Sequence, residues 1–436
     1  MLNFLFTKTP LAYFVWDFWR DEAYTYLFAK RGLSEIITLS PKDFSPPLYY
    51  LILNIWMKMF GTSEIAIRSL SLLFYAATFF FVYLFLRNVL KVKTRWLVLY
   101  LILFLLSPFL NYYAFEARMY AMFACFATMS FYFLQTEKRR WYILTTILGL
   151  YTHYFMVFVL LSQLLYVALN SNSKRLKIAK FKAMAFSFFI FIPWVIFLFT
   201  NNALFAQGFW ILPAKNESIW NLPSILYLGY EFDFAFFDRF LLPGAIILYL
   251  FILKGVHLII KERERKYDLL YLLLLWSFFT PLAAYFLSFV KPLFLPRYFI
   301  FSSVGFFLLL VFIFKHFDTH MKILFVVLLV AFALHYTNLQ LVHRKKAPVK
   351  NLMGEIKNLS GPNDLVYVST ELDYFLAQYY FDENKVYIYN KTYEEIPAFV
   401  GKVLIPKDRI TRRLPFYPQK AFVVKEDLTY TIQATY

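Results

Sequence analysis

Apolar residues fill the chain in long runs broken by short polar stretches. The runs at about 66–86, 95–111, 119–135, 181–199, 241–260, 268–290, 298–315 and 322–340 each approach one membrane crossing, for which about 20 mostly apolar residues suffice. The stretch WYILTTILGLYTHYFMVFVLLSQLLYVAL, 141–169, fits one long helix or a tight pair. The polar breaks decide between them, because they carry the basic clusters. Arg87, Lys91, Lys93 and Arg95 form one, Lys138, Arg139 and Arg140 another, and Lys174, Arg175, Lys177, Lys180 and Lys182 a third. Lys261, Arg263, Arg265 and Lys266 form a fourth, and Lys315 with Lys322 flanks the last span. Positive charge stays on the cytoplasmic side. If all these clusters do, 141–169 must cross and return, with Tyr151, Thr152 and His153 near the outer surface. Two short helices are acceptable where protein surrounds them. The outer segments are then 17–45, about 111–118, 200–240, 291–297 and everything beyond 341.

Two segments break the pattern. SPPLYYLILNIWMKMFG, 45–61, is short for a crossing and opens on Pro-Pro, which suits a helix start; it reads as a juxtamembrane helix on the outer face. MLNFLFTKTPLAYFVW carries Lys8 and Pro10 and makes a short first span. Beyond 341 the pattern changes: LVYVST, KVYIYN, KVLIP and AFVVKEDLTYTI read as strands between turn residues, and 350–360 as a helix. The expected fold is mainly α. A polytopic bundle of about 10–11 transmembrane helices occupies 1–340, with a first outer loop at about 17–65, and a small extracytoplasmic α/β domain occupies 341–436.

Composition agrees. Of 436 residues 61% are hydrophobic and 17% charged, where soluble domains carry about 25% charged residues. The 45 basic and 27 acidic side chains leave a net charge of +18. Spread in clusters between apolar runs, that charge describes membrane topology and not a nucleic-acid surface. Cys125 is the single cysteine, which excludes an internal disulfide. No small-residue cleavage site follows the first apolar stretch, so no removable leader is expected. No Walker loop, HExxH, CxxC pair or GxSxG occurs, which leaves nucleotide hydrolysis and zinc or serine chemistry without support.

A few ionisable residues near the membrane need explaining. In WRDEAYTYLFAKRG, 19–32, Asp21 and Glu22 open a helix. Acidic residues there cap free N–H groups. Neighbouring positions point about 100° apart, so one carboxylate can serve as a base while the other caps. Asp43, before Ser45-Pro46-Pro47, is either a turn residue or a second carboxylate for the same pocket. Glu116 and Arg118 in NYYAFEARMYA form a local ion pair or line an outer mouth. His153 is a packed histidine or a site residue. Lys291 and Arg297 in KPLFLPRYF anchor the interface or seat a phosphate, for which arginine offers forked donors.

WRDEAYT, DFSPPLYYLILNIWMKMFGTSEIAIRSLS, YYAFEARMYAMF, YTHYF and LPRYF follow one another over roughly 13–340. In this order and spacing they resemble the bacterial GT-C glycosyltransferases of the protein-mannosyltransferase-like group (glycosyltransferase family 39-like). The resemblance implies a GT-C bundle that transfers a sugar from a polyprenyl-phosphate donor, on the extracytoplasmic side and with inversion. It places the catalytic acid in Asp21-Glu22 and a second acidic position at Asp43. The candidate substrate contacts are Glu116, Arg118, Tyr120, His153, Lys291, Arg297 and Tyr298. Many relatives have a histidine before the two prolines, where this chain has Ser45. The sugar arrives activated, so no nucleotide motif and no fixed cofactor is required. Carboxylates alone can hold Mg²⁺ or Mn²⁺, and no metal ligand is assigned. The expected partners are the lipid-linked donor, the bilayer and an acceptor that is a protein, lipid or glycan. The competing class is a transporter or flippase of lipid-linked sugars. It gives no reason for clustered acids in the first outer loop, and it expects mid-span charges, where His257 and His335 lie towards span ends.

Overall fold

The computed structural model describes residues 2–43, 45–170, 173–201, 211–229, 235–261 and 267–436, without the side chains of Leu2 and of 235–240. Arg263, Arg265 and Lys266 of the fourth basic cluster, and much of 200–240, lie outside the described residues. The chain forms two compact units, Met1–Phe14 with Arg68–Ile196 and Ile211–Arg344, and Val15–Ile67 with Phe197–Trp210 and Lys345–Tyr436.

The first unit is helical. Among the described residues six helices are long and apolar enough to cross a membrane: Glu64–Val89, Lys174–Thr200, Leu241–Lys261, Tyr267–Leu287, Pro296–Phe314 and Thr319–His343. The expected span at 95–111 is instead a pair, Thr94–Leu105 and Pro108–Ala114, bent by 64°. Proline disfavours helical backbone at the residue before it, and Ser107 is extended, with ψ 113°. The 141–169 stretch is a pair of short helices, Arg139–Leu150 and Met156–Leu169. A buried polar chain ties them to the Tyr120–Gln135 helix: Tyr142 donates to Gln163 Oε1 at 2.7 Å, and Gln163 Nε2 donates to Ser130 Oγ at 2.8 Å. Proline explains another irregularity. Pro281 has no N–H to return to the preceding turn, and a π turn, Leu275–Phe279, directly precedes Thr280–Leu287.

Every residue of Ile300–Phe314 is buried, as expected of a helix that is apolar all round. Trp276 fixes its position. The indole is fully buried, stacks on Phe131 at 4.0 Å and donates Nε1–H to the Phe301 carbonyl at 2.8 Å. Gly305 makes room for it, since a Cβ there would meet the Trp276 ring at 2.5 Å. Phe80, Val98, Phe189, Leu253 and Val327 are exposed on the other helices, as lipid contact requires.

The second unit holds a five-stranded sheet, β1 (Leu365–Val368), β2 (Val386–Tyr389), β3 (Ile410–Thr411), β4 (Ala421–Val424) and β5 (Tyr430–Gln433), in the order β3-β2-β1-β4-β5. All pairs are parallel except β4–β5. The Tyr374–Tyr380 helix lies between β1 and β2 in the chain and packs on both. The expected helix appears at Val349–Leu359, with Val349, Met353 and Ile356 buried on one face. KVLIP, expected as a strand, is a 3₁₀ turn, Lys402–Leu404. Gly401 enters it at φ +86°, a left-handed conformation that interrupts extended backbone.

The first-loop helix Arg20–Ala29 packs against Tyr374–Tyr380. Tyr24 meets Phe375 edge-on at 5.2 Å and Tyr26 meets Tyr379 at 4.9 Å. The Phe18 N–H donates to Tyr380 Oη at 2.7 Å, and Lys30 pairs with Glu383 at 2.9 Å.

Overpacking at the Trp276 seat tests the bundle. Gly305→Val is expected to cost about 1–3 kcal/mol, read as a lower Tm of the detergent-purified protein, with part of the loss recovered when Trp276→Phe is added.

Candidate active site

The acids of the first loop take different tasks. Glu22 is 1% exposed and reaches back to the Trp19 N–H at 3.3 Å, the side-chain half of a capping box. Asp21 accepts from Arg20 Nε at 3.2 Å, with 19% of its side chain exposed. Thr25 Oγ1 donates to the Asp21 carbonyl at 2.7 Å, which steadies that turn. Asp43 accepts from two phenols, Tyr24 at 3.1 Å and Tyr50 at 2.8 Å. Tyr24 stands three residues after Asp21, so the same helix face that carries Asp21 also holds Asp43. Neither phenol was singled out from sequence. The i, i+3 spacing of Asp21 and Tyr24 was the available signal.

In the helical unit, residues distant in sequence gather around Tyr120. The Arg118 and Arg297 guanidinium carbons lie 6.0 and 5.9 Å from its ring centre, within cation–π range. Arg297 is 3% exposed, in the 3₁₀ turn Pro296–Phe299 that opens the buried Ile300–Phe314 helix. Tyr298 stands 6.5 Å from Tyr120 and 5.1 Å from His153. His153 stacks on Phe123 at 4.8 Å, and its Nδ1 accepts the Phe155 N–H at 3.1 Å. With Nδ1 accepting, the neutral ring carries its proton on Nε2. Burial, and then the nearby Arg118 charge, hold this imidazole down at about 3, so it is a neutral donor at ordinary pH. Glu116 is 3% exposed, and its carbonyl takes the Arg118 N–H at 2.7 Å. Lys291 is exposed.

Of the residues singled out from sequence, Asp21, Glu22 and Asp43 thus belong to the sheet-containing unit. Arg118, Tyr120, His153, Arg297 and Tyr298 form one cluster in the helical unit, with Glu116 beside it. The cluster offers two guanidiniums and two ring donors on an aromatic floor, a chemistry suited to a phosphate monoester. Phe123 and Phe155 complete the floor; the first lies in YYAFEARMYAMF and the second in YTHYF. Among the described residues, no three His, Cys, Asp or Glu side chains gather as metal ligands.

Asp373, just before the Tyr374–Tyr380 helix, is pushed up to about 6 by burial and by the charge of Glu426, against the pull of Arg20. Its folded value exceeds the ordinary aspartate value of about 3.9. Its contribution to stability is therefore full below that ordinary value and is lost as pH rises through about 6. Asp373→Asn is expected to flatten this part of the Tm-against-pH curve between pH ~4 and ~7. Glu22→Ala, which removes the cap, is expected to lower stability by about 0.5–2 kcal/mol, while Asp21→Asn leaves Tm nearly unchanged; thermal unfolding of each purified variant reads both.

Residues 45–197 match the family dolichyl-phosphate-mannose-protein mannosyltransferase. No curated protein matches the chain significantly in sequence. Its fold is similar to ArnT from Cupriavidus metallidurans in the apo state, with a TM-score of 0.64 at 12% identity, over 95% of this chain and 90% of that one. The same protein bound to undecaprenyl phosphate gives 0.61 at 12% identity, over 97% and 93%. The Archaeoglobus fulgidus oligosaccharyltransferase in the apo form gives 0.50 at 12% identity, over 88% and 62%. The chain is a multi-pass membrane protein of the GT-C glycosyltransferase fold, protein-mannosyltransferase-like over residues 45–197.

Proposed function

We propose that this protein transfers a sugar from a polyprenyl-phosphate donor to an acceptor hydroxyl on the extracytoplasmic side. The observation that carries this reading is the near whole-length likeness to ArnT, a protein solved with undecaprenyl phosphate bound. The arginine-flanked Tyr120 supports it. Asp21 is the general base. It is the acid of the first pair that does not cap its helix, and it keeps partial exposure. Asp43, fixed by two phenols, orients the acceptor.

In the reaction, Asp21 takes the acceptor proton as the acceptor oxygen bonds to the anomeric carbon. The bond from that carbon to the phosphate oxygen breaks, and its electron pair leaves with the polyprenyl phosphate. Configuration inverts at the anomeric carbon. Arg118 and Arg297 neutralise charge growing on the departing phosphate, His153 and Tyr298 supply further donors, and Glu116 holds Arg118 in place. Lys291 is an exposed basic residue at the entry. Residues 1–340 carry the transferase domain, and 341–436 form the extracytoplasmic companion that supports the first loop.

Incubation with a labelled polyprenyl-phosphate sugar tests this by release of polyprenyl phosphate. Asp21→Asn is expected to lower turnover about 10²- to 10⁴-fold without change in membrane insertion or Tm. Arg297→Gln is expected to weaken donor use more than tenfold, as loss of a charge-assisted contact of about 1.5–3 kcal/mol implies. Near-normal turnover of Asp21→Asn would remove it as base, and donor movement without sugar transfer by the wild type would favour a carrier.

A further inference from the structure

The Tyr120–Gln135 helix has the arginine-flanked cluster at its first residue and a second polar pocket at its other end. This pocket, a cavity of about 180 Å³, is lined by Phe133, Leu176 and Ala183 on its apolar side and by Glu137, Arg139 and Lys180 on its polar side. Glu137 and Arg139 are exposed at the rim. Lys180 is only 9% exposed, and among the described residues its ammonium makes no hydrogen bond or ion pair. Glu137 and Asp268 act on it only as more distant charges. A cation beside apolar walls, with its counter-charges only at longer range, is a seat for an anion. Tyr142, also in the lining, gives its hydroxyl to Gln163 and contributes no competing donor.

Two of the basic clusters meet here. Arg139 belongs to the first of them and Lys180 to the second, and Lys138, Arg140, Lys174 and Lys182 stand exposed around them. The apolar side continues along the Lys174–Thr200 helix, whose residues Ile178, Phe186 and Phe189 are exposed. An anion that enters therefore has room for an acyl chain beside it. Basic pockets between transmembrane helices on the cytoplasmic side suit anionic phospholipid heads.

We propose that this pocket seats the phosphodiester head of an anionic phospholipid, with Lys180 and Arg139 on the phosphate. Glu137 at the rim disfavours a small doubly charged anion, and it accepts hydroxyl hydrogens of a glycerol head. The occupant is thus a phosphatidylglycerol-type lipid and not free phosphate. The site lies some 14 residues along the helix from Tyr120, or about 21 Å at 1.5 Å per residue, so it is independent of the proposed transfer chemistry.

The test is native mass spectrometry of the full-length protein in detergent, titrated with phosphatidylglycerol, phosphatidylcholine or inorganic phosphate. The wild type is expected to retain phosphatidylglycerol in preference to phosphatidylcholine. Lys180→Gln is expected to weaken that binding about tenfold or more, Arg139→Gln less, and Lys182→Gln, on the exposed side of the same helix, not at all. Where Lys180→Gln does not fold, Arg139→Gln carries the comparison, since its side chain stands at the rim. Equal binding of both lipids, equal phosphatidylglycerol binding by Lys182→Gln and the pocket variants, or displacement of the lipid by inorganic phosphate would each overturn the assignment.

Discussion

A helix with no lipid-facing side constrains the whole helical unit. Because Ile300–Phe314 is buried on every face, its neighbours must surround it, and their own outward faces must be the lipid surface. Such a helix has no polar side along its length, so polar groups can enter only at its ends. The 3₁₀ turn that opens it carries Arg297 and Tyr298, and the helix N-terminus adds its own partial positive charge at the same place. Trp276 and Gly305 fix the depth of the helix, and that depth sets where the guanidinium of Arg297 falls relative to Tyr120. The position of a cation near the membrane thus follows from apolar packing several turns away.

The sheet-containing unit solves a different problem. A helix of only ten residues, with no apolar stripe of its own, does not hold itself in place. Arg20–Ala29 gains that surface from the aromatic face of Tyr374–Tyr380, through Tyr24, Tyr26 and Phe18. Within the unit, the sheet supports one side of Tyr374–Tyr380 and the first loop covers another. The C-terminal residues therefore hold Asp21 and Asp43 in register, although they supply neither acid.

Much of this was legible from sequence, and the rest was hidden for identifiable reasons. Runs of about 20 apolar residues leave few alternatives to a crossing helix, and the basic clusters forced the 141–169 turn. The bend before Pro108 was hidden because a single proline in an apolar run is compatible with both a kink and a break. KVLIP has β-branched residues yet turns, because the flanking Gly401 outweighs local preference. At the candidate site, the residue types were readable but their division of labour was not. Asp21 and Glu22 are equally good in a first turn, and only the backbone entering from Trp19 decides that Glu22 caps. The gathering of Arg118, His153 and Arg297 around Tyr120 depends on contacts across well over a hundred residues, which no local pattern encodes.

The two ends of the Tyr120–Gln135 helix handle buried positive charge in contrasting ways. At Tyr120 both cations are arginines. A planar guanidinium lies against an aromatic face and still presents forked donors, so it holds its direction before any anion arrives. At the other end the cation is Lys180, a flexible point charge with apolar walls and carboxylates only at longer range. A lysine so placed adapts to whatever anion enters but defines little geometry by itself. Aimed, rigid donors suit a group that must be held while a bond breaks, and a mobile ammonium suits a head group that need only be retained. The choice of arginine at one end and lysine at the other is the physical basis for proposing chemistry at the first and anchoring at the second.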